Sequence, residues 1–569
     1  MNAIKETIIR DLSDAEYIDN YRLHSDGTLE KREGYLLINE FPSPIRGAAA
    51  DELVTYAVAG SYLYRVTENG TDTLGYLGSC TFTSDTEEVT MFIEKGAVYM
   101  IGGGSYYKYT PSTDTLVEIE GYVPLVRRKV GASTSGEKYE SRNLLTPRVK
   151  ISVLTSDTDG EIDLWGRVSK VTAIYVGTTK LKETDYTVTI SRYALGSVTI
   201  LTDYSSMSTE MTIEYELDTT YYPTYRSLYL SGTKAYVFDD ELGRRLFLYG
   251  GEKTGVVYTS EFGAQHTTTG EKLDYFPETA KFTVGDGTKP VYAMQALGGR
   301  TVIMTSNTIY ELTQSSATTA AGIATRRFST KTVTIEMGIR KSSGIILYED
   351  ELYFVSENGL YKFAYNAETF EYYAILIDFA DYAAPSRDEY DRLSLFLYRQ
   401  NSELWCVCDD CAYVYSLRFE RWFRFSGFSG AGHMLLHCGD AAFYEDCCLY
   451  AFADGSYSDA GVGFDAVYES KQYDFDNIFA PKTIYGFGAA FDRIEGAKLI
   501  CTLKNDKGQE FTVEFLAENL DDPSPMVSRI HSRLGNSAYV ICRFVSPADS
   551  APANIRSIMF RYREIGGAK

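Results

Sequence analysis

The sequence IILYEDELYFVSENGLYKF, residues 345–363, places strands rich in Tyr, Phe and Val on either side of tight turns made by Glu-Asp and Asn-Gly. A short turn between two such runs is typical of a β-hairpin. The unit recurs along the chain, at residues 53–66, 89–101, 228–238, 291–312, 393–417 and 434–452. Seven hairpins with no helical segment between them predict a radially repeated sheet.

The predicted fold class is therefore all-β: a β-propeller of six to eight blades, with seven favoured. The composition agrees, because the 47 Tyr residues against 3 Trp favour a pleated, half-buried surface. A length of 569 residues exceeds what one hydrophobic core usually supports. We expect about three domains, one of them large.

Changes in strand pattern predict where the segments begin and end. Five short strands with period-2 alternation between residues 148 and 217 predict a small inserted β-sandwich, and a second series begins near residue 464. The predicted segments are an N-terminal arm with a ring-closing strand (1–50), propeller blades (51–140), the inserted sandwich (141–222), further blades (223–463) and a C-terminal β-sandwich (464–569).

The balance of charge argues against a surface that grips nucleic acid. The formal net charge is −23 and the isoelectric point is near 4.8. Phosphate binding requires clustered Lys and Arg, so a protein that reads a DNA sequence is not expected. Two explanations of the acidity remain open: ordinary solubility, and a surface along which DNA slides without adhering.

The chain carries no secretory or membrane signal that we recognise. Residues 1–11 lack the basic start and apolar core of a leader, and no apolar run approaches about 20 residues. Nine cysteines, an odd number, lie mostly within apolar strands, which is typical of a reducing compartment. The sequence therefore predicts synthesis in a cytoplasm.

No arrangement of residues predicts catalysis, so we expect neither an enzyme nor a bound cofactor or metal. The five histidines are scattered and match no ligand spacing. Cys408 and Cys411 form a single CxxC pair that flanks Asp409-Asp410, where a hairpin turn is predicted. A zinc site that also uses His437 and Cys438 is an alternative, although nothing in the sequence makes four ligands converge.

Two sets of residues are candidates for contacts. The polar connection 263–278 is long enough to be a contact loop or a flexible surface segment, and its candidate residues are Gln265, His266, Thr267, Lys272 and Tyr275. Acidic residues at predicted hairpin tips are candidates for a channel lining or for solvated turns: Asp239, Asp240, Glu349, Asp350, Asp409 and Asp410.

Several motifs follow one another in an order that resembles the tail hub, nozzle or "stabilisation" proteins of tailed bacteriophages. They are Arg22, DGTL at 26–29, KREGY at 31–35, RWFRF at 421–425, ADGSY at 453–457, YESK at 468–471 and APKTI at 480–484. The insertion, with TDYTV at 184–188, is similar to small β-sandwiches of phage tail proteins. These motifs are turn and strand signatures rather than catalytic ones.

The resemblance implies a mechanical role in the virion tail, after assembly in the cytoplasm of a bacterial host. Copies of the chain, six by analogy with the family, would form a ring below the portal and adaptor proteins. The ring would close or extend the DNA channel, contact tail fibres or a needle, and repel passing DNA with an acidic lumen.

Two other functions remain open from the sequence. A carbohydrate-binding or carbohydrate-active β-propeller would need acidic and aromatic residues grouped at one mouth of the ring. An intracellular interaction propeller would show Gly-His and Trp-Asp signatures every 40–45 residues, which this sequence lacks. We rank the second of these last.

Overall fold

Within the residues that it describes, the computed structural model consists of β-strands joined by turns, with 3₁₀ turns at Pro111–Thr113, Glu183–Asp185 and Arg399–Asn401. It describes residues 4–84, 87–131, 136–154, 161–190, 196–202, 210–222, 230–239, 241–251, 254–266, 273–380, 384–386, 388–427, 433–517, 526–529 and 534–565. Within these ranges, no helix has the length and apolar character needed to cross a bilayer.

The first part of the chain supplies thirteen of the described strands. They are β1 (Lys5–Ile9), β2 (Ala15–Asp19), β3 (Tyr21–Leu23), β4 (Leu29–Lys31), β5 (Tyr35–Glu40), β6 (Ile45–Asp51), β7 (Val54–Ala59), β8 (Tyr62–Thr67), β9 (Gly70–Tyr76), β10 (Thr90–Glu94), β11 (Ala97–Gly102), β12 (Ser105–Thr110) and β13 (Thr115–Glu118). Strands β6–β9 and β10–β13 form two four-stranded antiparallel sheets, blades 1 and 2.

The next nine strands form the inserted sandwich. They are β14 (Leu125–Val130), β15 (Glu137–Lys138), β16 (Arg148–Val153), β17 (Glu161–Asp163), β18 (Val168–Val176), β19 (Thr179–Lys180), β20 (Tyr186–Thr189), β21 (Ser197–Ile200) and β22 (Met211–Leu217). One sheet has the order β15-β14-β16-β22-β18-β19, and the other has the order β17-β21-β20. Strands β14 and β15 belong to this sandwich although they precede residue 141, because β14 pairs in parallel with β16.

The chain then builds the remaining blade strands. They are β23 (Lys234–Phe238), β24 (Arg245–Tyr249), β25 (Val256–Thr259), β26 (Lys281–Thr283), β27 (Ala293–Leu297), β28 (Arg300–Met304), β29 (Thr308–Thr318), β30 (Ala324–Ile335), β31 (Ile345–Tyr348), β32 (Glu351–Ser356), β33 (Gly359–Asn366), β34 (Glu371–Ile377), β35 (Ser394–Tyr398), β36 (Glu403–Val407), β37 (Cys411–Ser416), β38 (Arg421–Ser426), β39 (Met434–His437), β40 (Asp440–Glu445) and β41 (Cys448–Phe452).

These strands form blade 3 (β23–β26), blade 4 (β27–β30), blade 5 (β31–β34), blade 6 (β35–β38) and blade 7, whose order is β39-β40-β41-β5. The fourth strand of blade 7 therefore comes from the N-terminus, where the sequence analysis placed a ring-closing strand. The first strand of the hairpin predicted at residues 228–238 begins at residues 228 and 229, which lie outside the described residues. Strand β23 begins at Lys234 and pairs with β24, a buried strand that the sequence analysis overlooked.

The last nine strands are β42 (Ser458–Asp459), β43 (Val462–Gly463), β44 (Ala466–Ser470), β45 (Lys482–Phe491), β46 (Lys498–Asn505), β47 (Glu510–Leu516), β48 (Met526–Arg529), β49 (Val540–Ser546) and β50 (Ile555–Glu564). Strands β42 and β43 form a separate two-stranded sheet. Strands β44–β50 form the C-terminal sandwich together with the N-terminal arm: β1 and β4 pair with β50, and β2 lies between β44 and blade 6's outer strand β38. The arm is thus an integral part of two sheets.

The all-β, β-propeller fold class is confirmed, with seven four-stranded blades among the described residues and both sandwiches present. The chain divides into two compact units, residues 1–45, 50–55 and 339–569, and residues 46–49 and 56–338. Within the first unit, the first strand of each blade contacts the first strand of the next, β31 to β35 and β35 to β39. Within the second unit, β10 contacts β23 and β23 contacts β27.

Local sequence explains the hairpins. Glu349 and Asp350 have φ angles of 48° and 61°, the left-handed geometry that a two-residue type I′ turn requires between β31 and β32. Strand β22 shows the expected period of two, because Met211, Ile213, Tyr215 and Leu217 are all buried in the core of the inserted sandwich.

Candidate functional site

The centre of the first unit holds a buried cluster that we call the N-terminal clamp: Asn20, Arg22, Lys31, Arg32, Glu403 and Asp459. Arg32 follows β4 and is 0% exposed. Its Nη1 and Nη2 atoms donate to the two oxygens of Asp459, at 2.9 and 2.6 Å. Its guanidinium also lies 3.8 Å from the centre of the Phe464 ring. A bidentate pair in this geometry is among the stronger polar contacts in proteins.

The other donors of Arg32 reach the main chain and a neighbouring amide. Nε donates to Asn20 Oδ1 at 2.8 Å, Nη1 to the Glu33 carbonyl oxygen and Nη2 to the Ser426 carbonyl oxygen, both at 2.9 Å. All five guanidinium hydrogens are thereby used. Arg32 thus ties together the arm, the end of β38 and strand β42.

Asn20 connects the arm to blade 6. Its amide nitrogen donates to Ser426 Oγ and to the Asp465 carbonyl oxygen, while its Oδ1 also accepts from the Ser426 backbone N–H. Its φ angle of 57° is left-handed, a conformation that Asn tolerates better than most residues. The bend that it makes between β2 and β3 lets the arm continue from one sheet into the other.

Arg22 joins the clamp to the inner part of blade 6. Its Nε donates to Glu403 Oε1 at 2.6 Å, and its Nη1 donates to Glu33 at 2.8 Å. The other oxygen of Glu403 accepts from the Trp405 indole N–H at 2.9 Å. The charge of Glu403 is therefore fully engaged although its side chain is buried.

Gly34 leads from the clamp into the closing strand β5. Its N–H donates to the Ser456 carbonyl oxygen, and its own carbonyl oxygen accepts from the Ala453 N–H. A Cβ atom at this position would lie 2.1 Å from the Ser458 carbonyl oxygen, so only glycine fits. Strand β5 then pairs with β41 from residue 35 to residue 40.

The clamp brings together most of the motifs that carry the resemblance in the sequence. Arg22 and the segment 31–35 meet blade 6 at residues 421–425 and the turn at 453–457. Strand β2 pairs with residues 467–470 of β44. The arrangement fastens the N-terminal arm to two blades and to the C-terminal sandwich.

The predicted contact loop is described only in part, since Thr267 and Lys272 lie outside the described residues. His266 accepts from the Gly263 N–H and contacts Asp274 Oδ1 at 3.0 Å, and its ring packs on Tyr122. Gln265 contacts Lys150, and Tyr275 is buried and donates to the Ser141 carbonyl oxygen. The described residues of this loop are anchored to the base of the inserted sandwich.

The predicted acidic residues are not one cluster. Asp239 forms an ion pair with Arg244, and Asp409 forms one with Arg392. Glu349 and Asp350 occupy the turn of blade 5, while Asp410 lies at the exposed turn of blade 6. Asp240 lies outside the described residues.

The cysteine pair is a cross-strand pair, as predicted. The Cys408 N–H donates to the Cys411 carbonyl oxygen at 2.8 Å. The interaction of each thiol with the other raises the pKa of Cys408 and lowers the pKa of Cys411. Among the described residues, the grouped ligands are Glu389, Cys408 and Asp410, so His437 and Cys438 are not part of the group. His437 instead contacts Thr55 Oγ1 at 2.9 Å.

A cleft of about 430 Å³ in the second unit was not predicted from the sequence, although one of its lining residues, Tyr275, belongs to the predicted contact loop. Glu261, Tyr275, Thr325 and Arg326 are among its lining residues. Burial raises the pKa of Glu261, whose Oε1 accepts from Thr325 Oγ1 at 3.2 Å. Glu261 and Thr325 are 64 positions apart in the sequence, and no local motif marks them.

Comparisons with known proteins show no relative by sequence: no protein-family model matches, and no curated protein matches. Solved structures are similar in part, among them these three. A chain of a mitotic checkpoint complex has a TM-score of 0.32 and 8% identity, covering 74% of this chain and 94% of its own. The AfRom2 CNH domain has a TM-score of 0.29 and 6% identity, covering 74% and 99%. Hsv2 of Kluyveromyces lactis has a TM-score of 0.25 and 10% identity, covering 68% and 98%.

At these TM-scores the likenesses carry no argument about function. The assignment to the β-propeller class follows from the seven four-stranded sheets and from the pairing of β5 with β41.

Proposed function

We propose that this protein is a structural component of a tailed-phage virion, a hub or nozzle ring below the portal and adaptor that closes or extends the DNA channel. The observation that carries the proposal is the N-terminal clamp, because it is built from the residues that resemble the tail family. Tail fibre or needle proteins are the partners expected on the other side, and the ring consists of copies of this chain.

The clamp suits a structural protein that has to withstand mechanical force. In a propeller closed by one strand, the ring opens where that strand detaches. Here the closing strand β5 is preceded directly by Arg32, whose two bonds to Asp459 and three further bonds hold the chain in place. Buried charges that are fully paired are costly to separate, so opening at this point is slow.

Exposed apolar side chains on two outer strands of the first unit favour self-association. They are Tyr373, Ile375 and Leu376 on β34, and Leu36, Leu37 and Ile38 on β5. Both strands are the last strand of their sheets, and an open apolar edge of this kind tends to be covered by another chain. The acidity of the chain, with a net charge of −23, favours a lumen that DNA crosses without adhering.

The test is the assembly state of the purified full-length chain. We expect light scattering to give a defined oligomer and negative-stain images to show closed rings with a central hole. Genes for a portal, terminase or head–tail adaptor next to its own would agree. A monomer at every concentration, or specific binding or hydrolysis of a glycan that is lost in Glu261→Gln, would overturn the proposal.

Changing Ile375 and Leu376 together to Lys is predicted to abolish the rings. Both side chains are exposed, so the stability of the protomer should stay within about 0.5 kcal/mol of wild type. Lysine on an edge strand opposes pairing with a second chain. The measurement is oligomer mass together with thermal unfolding.

The matched control is Thr71→Lys with Thr73→Lys, two exposed polar positions on the outer strand β9. This variant should assemble normally. Rings that survive the change on β34 would rule out that edge as the interface.

A further inference from the structure

Two residues of the turn between β36 and β37 lie close to Glu389, which precedes β35, so that three ligand groups are near one another. They are the carboxylates of Glu389 and Asp410 and the thiol of Cys408, and one ligand atom of each lies within 4.8 Å of the other two. We propose that this group is a zinc site, with Glu389, Cys408 and Asp410 as ligands and water in the fourth position. The proposal is independent of the tail function.

The spacing is close to what a zinc ion requires. Bonds of about 2.3 Å to sulfur and about 2.0–2.2 Å to oxygen put neighbouring ligand atoms of a tetrahedron about 3.5 Å apart. Cys408 Sγ lies 3.3 Å from Glu389 Oε1. The remaining ligand-atom distances are at most 4.8 Å, and the Asp410 side chain that would have to move closer is exposed at the tip of its turn.

Neighbouring groups hold two of the ligands in position. The second oxygen of Glu389 accepts from the Ser386 N–H at 2.5 Å, which turns the first oxygen toward Cys408. The bond from the Cys408 N–H to the Cys411 carbonyl oxygen fixes the turn that carries Asp410. Groups that orient ligands in this way are typical of metal sites.

The chemistry of the donors selects zinc over magnesium or calcium. Magnesium and calcium take oxygen ligands, whereas a thiolate beside carboxylates suits zinc. A second buried thiol, Cys411, belongs to the strand that follows the same turn. When zinc binds, the Cys408 proton passes to solvent and the metal–sulfur bond forms. Arg392 forms an ion pair with Asp409 in the same turn, and its positive charge offsets part of the negative charge of the ligands.

The experiment strips the full-length protein with a chelator, titrates it with Zn²⁺ and measures bound metal by mass spectrometry. We expect one zinc per chain, and with Co²⁺ a thiolate-to-metal charge-transfer band. Cys408→Ser should remove the band. Asp410→Asn should weaken zinc binding at least about tenfold, since even the loss of a group that orients a ligand costs that much.

Asp409→Asn is the matched control, because this neighbour in the same turn pairs with Arg392 and is not a proposed ligand. It should bind zinc within about twofold of wild type by the same titration. Asp410 is exposed, so Asp410→Asn keeps the test valid even if Cys408→Ser fails to fold. Absence of stoichiometric zinc, or equal affinity in Asp410→Asn and wild type, would show that Cys408 and Glu389 share a simple hydrogen bond.

Discussion

Replacing Arg32 with Ala is expected to lower the free energy of unfolding by about 3–5 kcal/mol, the cost of removing one partner from a buried ion pair. The side chain is 0% exposed, and its loss leaves the Asp459 carboxylate buried without its counter-ion. The carbonyl oxygen of Ser426 and the amide oxygen of Asn20 also lose a donor. Urea unfolding and limited proteolysis of the full-length protein measure the effect.

The comparison variant is Arg65→Ala. Arg65 also pairs with a carboxylate, Asp72 at 2.6 Å, but on an exposed surface, so its loss should cost less than about 1 kcal/mol. The loss of stability in Arg32→Lys should lie between those of the two Ala variants, since lysine keeps the positive charge but lacks the planar guanidinium that binds both carboxylate oxygens. Equal losses for Arg32→Ala and Arg65→Ala would contradict the role of the clamp.

The second large effect concerns Lys31 and depends on pH. Its side chain is 1% exposed, and its Nζ donates to the Pro547 carbonyl oxygen at 3.0 Å. Burial lowers the pKa of Lys31 to about 8, although Asp465, Asp459 and Asp549 oppose the shift and Arg32 reinforces it. The folded protein therefore releases this proton at a pH where the unfolded chain still holds it.

Because the unfolded state binds more protons between about pH 8 and 10.5, the contribution of Lys31 to stability rises with pH across this window. It is lost as the pH falls through about 8. Lys31→Met carries no such titration. The free energy of unfolding of Lys31→Met, relative to that of wild type, should therefore fall by about 3 kcal/mol between pH 7 and 10.5. Urea unfolding at a series of pH values measures the difference between the two proteins.

The same substitution at Lys507, in an exposed turn, controls for the loss of a lysine in general. The difference in free energy of unfolding between Lys507→Met and wild type should change little over the same pH range. If the difference between Lys31→Met and wild type is equally independent of pH, Lys31 stays protonated in the folded protein.

Much of the blade architecture could be predicted because it is local. The turn at Glu349 and Asp350 joins strands that are adjacent in sequence, and the turn at Asp409 and Asp410 does the same in blade 6. Strand β24, which follows β23 and pairs with it, was not predicted. A short apolar run does not say on which side its partner lies.

The candidate sites were less accessible to sequence reasoning. The motif at residues 31–35 was noted, but Asp459 is 427 positions from Arg32, and no local pattern pairs them. Likewise, the CxxC pair was recognised while Glu389, 19 positions before Cys408, was not. The acidic residues at turns were identified individually, yet the structure scatters them over different blades.

The amino-acid sequence by itself determined the all-β class, the series of hairpins and the presence of two sandwiches, since alternation and turn chemistry act over a few residues. Only the tertiary structure decided that the N-terminal arm is shared between two sheets and that Arg32, Asn20 and Asp459 meet. Contacts between residues hundreds of positions apart depend on how sheets pack against each other, and packing leaves no periodic signal in the chain.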